Sequence, residues 1–281
     1  MPKPKRPRKQ RPQRNKHERN NIRELWGSHQ GEDIFVVGTG TSLTGFHFTF
    51  LNRKITIGLN NALMSPGFSP TYSLFCDTRC WERYKHLDIG ETKMVCQRRS
   101  RDQYLRESRC KFKDNVWHFN HVNRSASMDE ENDDLYVART VATGGISMAW
   151  KLGARRVFLM GVDGYKLLVR NPKTGKFEDV YYHDGSNKGN EKRKFKQTQL
   201  SKDCHMLRQD RHDWWVRNMR ELREYFTKRK LFPGPWPGPG IYTINKMSII
   251  DAWQKLKVKT VFGTRCFSQT PYHRLIRMGR A

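Results

Sequence analysis

Asp33-Ile34-Phe35-Val36-Val37-Gly38-Thr39-Gly40-Thr41-Ser42-Leu43 is the stretch that decides the fold. Its apolar run is continuous rather than alternating, which suits a strand buried on both faces. The run ends at once in glycines and hydroxyls. Two more runs repeat the pattern. Ile55-Thr56-Ile57-Gly58-Leu59 ends in Asn60-Asn61, and Tyr72-Ser73-Leu74-Phe75-Cys76 ends in Asp77. Met94-Val95-Cys96 and Val116-Trp117-His118-Phe119 read as further short strands. Thr143-Gly144-Gly145 leads into Ile146–Gly153, whose apolar spacing and closing glycine fit a short helix. Val157-Phe158-Leu159-Met160-Gly161-Val162-Asp163 follows as a strand after a short turn. Helix, turn and apolar strand in this order predict an α/β fold built on a parallel sheet.

Outward from this core the sequence changes character. Residues 166–202 are polar, with six Lys/Arg between Lys188 and Lys202, and read as a lid-like loop. Asp213–Lys228 carries Trp214, Trp215, Met219, Leu222 and Phe226 at near-helical spacing, the pattern of an amphipathic helix. Phe232–Gly240 is too rich in Pro and Gly for a helix or central strand, and Ile241–Asn245 reads as a strand. The expected organisation is a basic disordered arm over 1–24, a nucleotide-binding domain over 25–251, and a basic tail over 252–281. The tail holds seven Lys/Arg and no acid.

The 281 residues carry 54 Lys+Arg against 27 Asp+Glu, a net charge of +27. Residues 1–25 account for a net of +8, so the remaining chain is itself strongly basic. Nucleic acid, an acidic glycan or another polyanion suits such a charge. No run of 18 apolar residues exists to span a membrane, and the first 21 residues lack the apolar segment of a secretory signal. The six cysteines have no regular spacing and read as reduced thiols, which places the chain in a cytoplasm.

The residues that could carry chemistry gather at strand ends. Gly38-x-Gly40-x-Ser42 lets backbone N–H groups approach a phosphate, or makes a plain glycine turn. The dinucleotide fingerprint is not met, because Leu43 holds its third glycine position and no acid closes the second strand. There is no GxxxxGK[ST] either. Asn60 and Asn61 can donate and accept, as reading a base edge or sugar requires; Asn and Asp77 also suit turns and caps. Asp163 and Tyr165 close the strongest strand. His183 opens the basic lid-like segment and could act as a general base. Cys76-x3-Cys80 and His118-x2-His121 lack the paired spacing of a zinc site, so no metal is expected. Trp81, Trp214, Trp215 and Trp236 could stack on bases or fill the core.

Together, Val36–Leu43, Ile57–Leu63, Pro70–Asp77, Thr143–Gly145 and Leu152–Tyr165 resemble two groups of proteins. One is the bacterial sialyltransferases of the CMP-sialic-acid type. The other is the phage-encoded and archaeal proteins of the pterin-diphosphokinase-like class; for a viral chain the cytoplasm would be the host's. The resemblance implies a Rossmann-like domain, a mostly parallel sheet flanked by helices, with a CMP-type nucleotide-sugar donor at the strand ends under a mobile lid. Thr39 and Ser42 would lie by the phosphates, and Asn60 by the sugar or base. Thr143, Gly144 and Gly145 would approach the cytidine, Tyr165 would touch the phosphate, and His183 would be the catalytic base. Val141 stands where the sialyltransferases keep an arginine, and Gly144 where they keep a serine. A diphosphokinase would instead need ATP and Mg²⁺, with Asp77 and Asp163 as its placed acids. A nucleic-acid-binding protein that keeps the fold without the chemistry is the alternative that the charge favours.

Overall fold

The structure, a computed structural model, describes residues 20–43, 46–84, 87–97, 115–138, 140–163, 166–170, 177–180, 204–207, 212–235, 237–244 and 252–262. Six strands come first: β1 (Asp33–Val37), β2 (Ile55–Leu59), β3 (Tyr72–Phe75), β4 (Lys93–Gln97), β5 (Val116–Val122) and β6 (Asp134–Tyr136). Helix α1 (Thr78–Tyr84) lies between β3 and β4, and α2 (Val141–Lys151) leads to β7 (Arg156–Met160). After β8 (Lys166–Arg170), β9 (Phe177–Val180) and β10 (Cys204–Leu207) come α3 (His212–Lys228), β11 (Gly240–Thr243), β12 (Gln254–Lys255) and α4 (Val258–Phe262).

Nine strands form one sheet in the order β12-β11-β7-β1-β2-β3-β4-β5-β6, and every neighbouring pair is parallel. From β1 the chain winds outward through β2 to β6, then returns to add β7, β11 and β12 on the other side. This is the α/β fold the sequence predicts. The reversal between β1 and β7 is the switch point, where open α/β sheets bind ligands beyond the strands' carboxyl ends.

Strand alternation sorts the core into two faces. Ile34, Val36, Ile57, Leu59, Leu74, Val157 and Leu159 lie in one cluster with α2 and α3 residues. Phe35, Val37, Phe158, Met160 and Tyr242 lie in another, with Phe48, Phe68 and Leu256. Phe158 is paired in register with Phe35 and with Tyr242, and its ring stacks on theirs at 4.8 and 5.7 Å. Each such buried ring contributes about 1.5–3 kcal/mol through the water it sheds.

Helix α2 begins earlier than the sequence reading placed it. Thr140 caps it, its side chain accepting from the Ala142 N–H, so Thr143, Gly144 and Gly145 lie inside the helix. Those glycines let the helix sit close on the sheet. A Cβ on Gly145 would lie 2.8 Å from Val36 and 2.9 Å from Leu59. At the other end Gly153 takes φ +95, the left-handed closing residue its position predicts.

Three boundaries move. The expected loop over 166–202 contains β8 and β9, which with β10 form an antiparallel sheet in the order β10-β8-β9. The apolar residues there come as brief runs bounded by charge, such as Leu167-Leu168-Val169 between Lys166 and Arg170, which is why the sequence reads as a loop there. The arm and tail boundaries both fall within packed structure. Ile22 is fully buried, and β12 and the buried Leu256 lie inside the supposed tail. Strand β6 was not read from the sequence at all. No helix among the described residues is long and apolar enough to cross a membrane.

Candidate functional site

The glycine loop crosses directly from β1 onto the segment after β7. The Gly38 N–H donates to the Met160 carbonyl and the Gly40 N–H to the Gly161 carbonyl, both at 2.7 Å. Side chains are excluded: a Cβ on Gly38 would lie 2.5 Å from the Gly161 oxygen, and one on Gly40 2.6 Å from it. Asp163 then locks the loop. Its carboxylate accepts the Ser42 N–H at 2.9 Å and the Ser42 hydroxyl at 2.6 Å, and the residue is only 2% exposed. Charge-assisted bonds of this kind are roughly twice as strong as neutral ones. The N–H groups of Gly38, Gly40 and Ser42 are thus turned onto the protein. Thr39, within this loop, is half-buried.

The end of β2 is arranged differently. Asn60 takes φ +47, a left-handed conformation that non-glycine residues adopt rarely and that Asn tolerates best. Its carbonyl accepts the Tyr84 hydroxyl, and burial pushes the Tyr84 pKa well up, so that hydroxyl stays a donor. The side-chain Oδ1 atoms of both Asn60 and Asn61 are buried and have no hydrogen-bond partner. Each such atom costs about 1–3 kcal/mol unless something donates to it. A short bend at strained backbone, with two open acceptors beside the switch point, marks a place where a ligand's donors would be favoured.

Asp77 follows β3, and its carbonyl accepts the Cys80 N–H at 2.9 Å as α1 begins. The neighbouring Cys76 thiol is pushed up to about 12, chiefly by burial, so it stays protonated and is no thiolate nucleophile. Further along the same edge Gln97 closes β4, and its Nε2 lies 3.1 Å from Nδ1 of His121 on β5. Burial lowers the His121 pKa, which keeps the ring neutral near pH 7. No sequence motif marks Gln97, and His121 belongs only to the unpaired His118-x2-His121 spacing. The available signal was their position at the ends of two short apolar runs.

The structure therefore brings Gly38, Thr39, Gly40, Ser42 and Asp163 together, with Asn60 and Asn61 at the next strand end. It does not bring the Thr143 hydroxyl there. That hydroxyl is fully buried and directed at the Val137 and Thr140 carbonyls at 2.9 Å, while Gly144 and Gly145 face the core. Trp81, expected either to stack on bases or to fill the core, is fully buried in a cluster with Phe75 and Tyr84. Trp215 packs half-buried on the core. Tyr165, His183 and Trp236 lie outside the described residues. Among the described residues no group of three or more His, Cys, Asp or Glu side chains could hold a metal ion.

Fold and site thus define an α/β protein with a polar carboxyl edge at a topological switch point. No family model matches the chain, and no curated protein does. Its fold is similar to two solved structures. One is the MAf glycosyltransferase from Magnetospirillum magneticum AMB-1, 14% identical, TM-score 0.48, covering 92% of this chain and 41% of that one. The chain thus spans well under half the length of that enzyme. The other is the sialyltransferase CstII from Campylobacter jejuni in complex with cytidine-5'-monophosphate, 15% identical, TM-score 0.45, covering 85% of this chain and 88% of that one.

Proposed function

We propose that the chain is a glycosyltransferase that takes a CMP-type nucleotide-sugar donor at the carboxyl edge and transfers the sugar to a hydroxyl of a polyanionic acceptor. The observation that carries this is the pair of buried, unpartnered amide oxygens at Asn60 and Asn61, beside the switch point. They suit the amino group of a cytosine or the hydroxyls of a ribose, both of which donate. The donor class follows the sequence resemblance of the Val36–Leu43 and Met160–Tyr165 blocks.

In this reading the acceptor hydroxyl attacks the anomeric carbon in line. The new glycosidic C–O bond forms as the bond to phosphate breaks and CMP departs with the electron pair. His183 takes the acceptor proton, and Tyr165 steadies the leaving phosphate. The locked glycine loop supplies a rigid wall rather than a flexible cradle.

Calorimetric titration with CMP, UDP and GDP tests the reading. CMP binding at micromolar to low-millimolar concentration is the expected result. No heat from any nucleotide at millimolar concentration overturns it. His183→Ala should keep nucleotide binding and lose turnover; retained turnover would remove His183 from the mechanism.

A further inference from the structure

The carboxyl edge continues past the amides beyond β2. Strands β2, β3, β4 and β5 are successive neighbours, so the ends of β2 and β5 lie three strand spacings apart, about 14 Å. Gln97 ends β4 level with Phe119 on β5, so His121 stands two residues further out along β5, about 6.6 Å. The Gln97 amide nitrogen lies 3.1 Å from Nδ1 of His121. An amide nitrogen only donates, so Nδ1 accepts and the ring proton sits on Nε2. Nε2 is buried, and among the described residues nothing accepts from it. Burial holds the ring neutral near pH 7 against the upward pull of the Asn123 side chain. The backbone beside it is bent hard. The Val137 N–H donates to the Val122 carbonyl at 3.2 Å, and Ala138 takes φ +34, an angle alanine rarely adopts.

We propose that His121 reads the sugar of the nucleotide-sugar donor, its Nε2–H donating to a sugar oxygen, with Gln97 as the positioning residue that fixes the tautomer. This rests on the transferase reading above and deepens it. The two strand ends ask for opposite chemistry. Asn60 and Asn61 lack donors, and His121 lacks an acceptor. One ligand that meets both needs carries N–H or O–H groups at one end and an oxygen about 14 Å away. A nucleoside monophosphate held at the two amides ends short of that distance; the sugar beyond its phosphate reaches it. The neutral ring suits the same end. An uncharged N–H pairs well with a hydroxyl or carbonyl oxygen, whereas phosphate is held best by cationic donors. The bend at Ala138 is the kind of local strain that gathers where a ligand is held.

Two measurements on the full chain test the proposal. In the free protein at pH 7, an imidazole ¹⁵N–¹H correlation spectrum should show the His121 proton on Nε2; a proton on Nδ1 overturns the proposal. Calorimetry then compares CMP with CMP carrying a C3-fluorinated sialic acid. The parent should bind the sugar-bearing analogue at least tenfold more tightly than CMP. His121→Phe keeps a flat ring without the N–H. It should bind CMP within twofold of the parent and the analogue no more tightly than CMP. If this variant keeps the sugar's gain, or weakens CMP and the analogue alike, the proposal is overturned. Should it fail to fold, Gln97→Leu decides: the His121 ring should then show both tautomers and the sugar's gain should fall at least threefold, and an unchanged gain overturns the proposal. Asn123→Ala should keep the gain; losing it there as fully as in His121→Phe hands the contact to Asn123 and overturns the proposal too. A parent that binds CMP but gains nothing from the sugar sinks this proposal alone. A parent that binds neither sinks the transferase reading, and this one with it.

Discussion

Two neighbouring strand ends on one edge of the sheet treat their polar groups in opposite ways. Beyond β1, the loop from Gly38 to Ser42 turns its N–H groups onto the Met160 and Gly161 carbonyls and the Asp163 carboxylate. Beyond β2, Asn60 and Asn61 leave two buried amide oxygens without donors. The first end is closed by the protein's own chain. The second carries strain and an unmet hydrogen-bonding need. A fold tolerates such a cost where something else meets the need, so the difference supports the proposal of a ligand beyond β2 more than the glycine motif does.

The closed end breaks most dramatically. Gly40→Ala would place a methyl carbon against the Asp163 carboxylate and 2.6 Å from the Gly161 carbonyl. Neither neighbour is a flexible chain end, since Asp163 is held by Ser42 and Gly161 by the backbone. The expected cost is about 3 kcal/mol, at the upper end of overpacking. For a domain of this size that lowers Tm by on the order of 6–10 °C. A scan that finds Tm unchanged would show that the loop is not locked.

How much of this was legible follows from the kind of signal each element gives. The runs at Ile34–Val37, Ile55–Leu59 and Val157–Met160 are buried on both faces, so their composition alone announces central parallel strands. Strand β6 has only three residues, and in β8 and β9 charged residues bound or interrupt the apolar ones, so none of them shows a long apolar run. Asp163 was placed at a strand end from sequence, but its bond to Ser42 spans 121 positions and no local pattern encodes it. The resemblance sets Thr143–Gly145 beside a cytidine, and glycine suits both ligand contact and close packing. Only the positions of Val36 and Leu59 under Gly145 decide for packing.

The open end should respond in affinity rather than stability. Asn60→Gly keeps the φ +47 bend without strain and removes one unpartnered oxygen. The unfolding free energy should stay within about 1 kcal/mol of the parent, because relief of strain and orphan burial offsets the added chain freedom. Affinity for CMP should fall about tenfold, the worth of one hydrogen bond of roughly 1.4 kcal/mol. Calorimetry and denaturant unfolding read the two quantities separately. A large loss of stability with unchanged affinity would make Asn60 a structural turn and return the ligand to the β1 loop.

A third polar site, within the packed body at the end of α2, sets the smallest test and sharpens what closed means. Lys151 is 7% exposed; its ammonium donates to the Asn132 carbonyl at 2.8 Å and to its side-chain oxygen at 3.2 Å, and lies 5.2 Å from the centre of the Trp26 ring. Burial lowers its pKa to about 8, against the opposing pull of Asp134, Asp129 and Asp133. The unfolded side chain titrates near 10.4. Between those values the unfolded chain binds more protons than the folded one, so this residue's contribution to stability rises with pH across the window and is lowest below pH 8. The stability of the parent relative to Lys151→Met should therefore increase by about 1 kcal/mol from pH 7 to pH 9. Parallel curves would mean that Asn132 and the aspartates fully compensate the buried charge. A rising difference would show that even a hydrogen-bonded group strains this fold, which makes the two bare amides beyond β2 the stronger claim on a ligand.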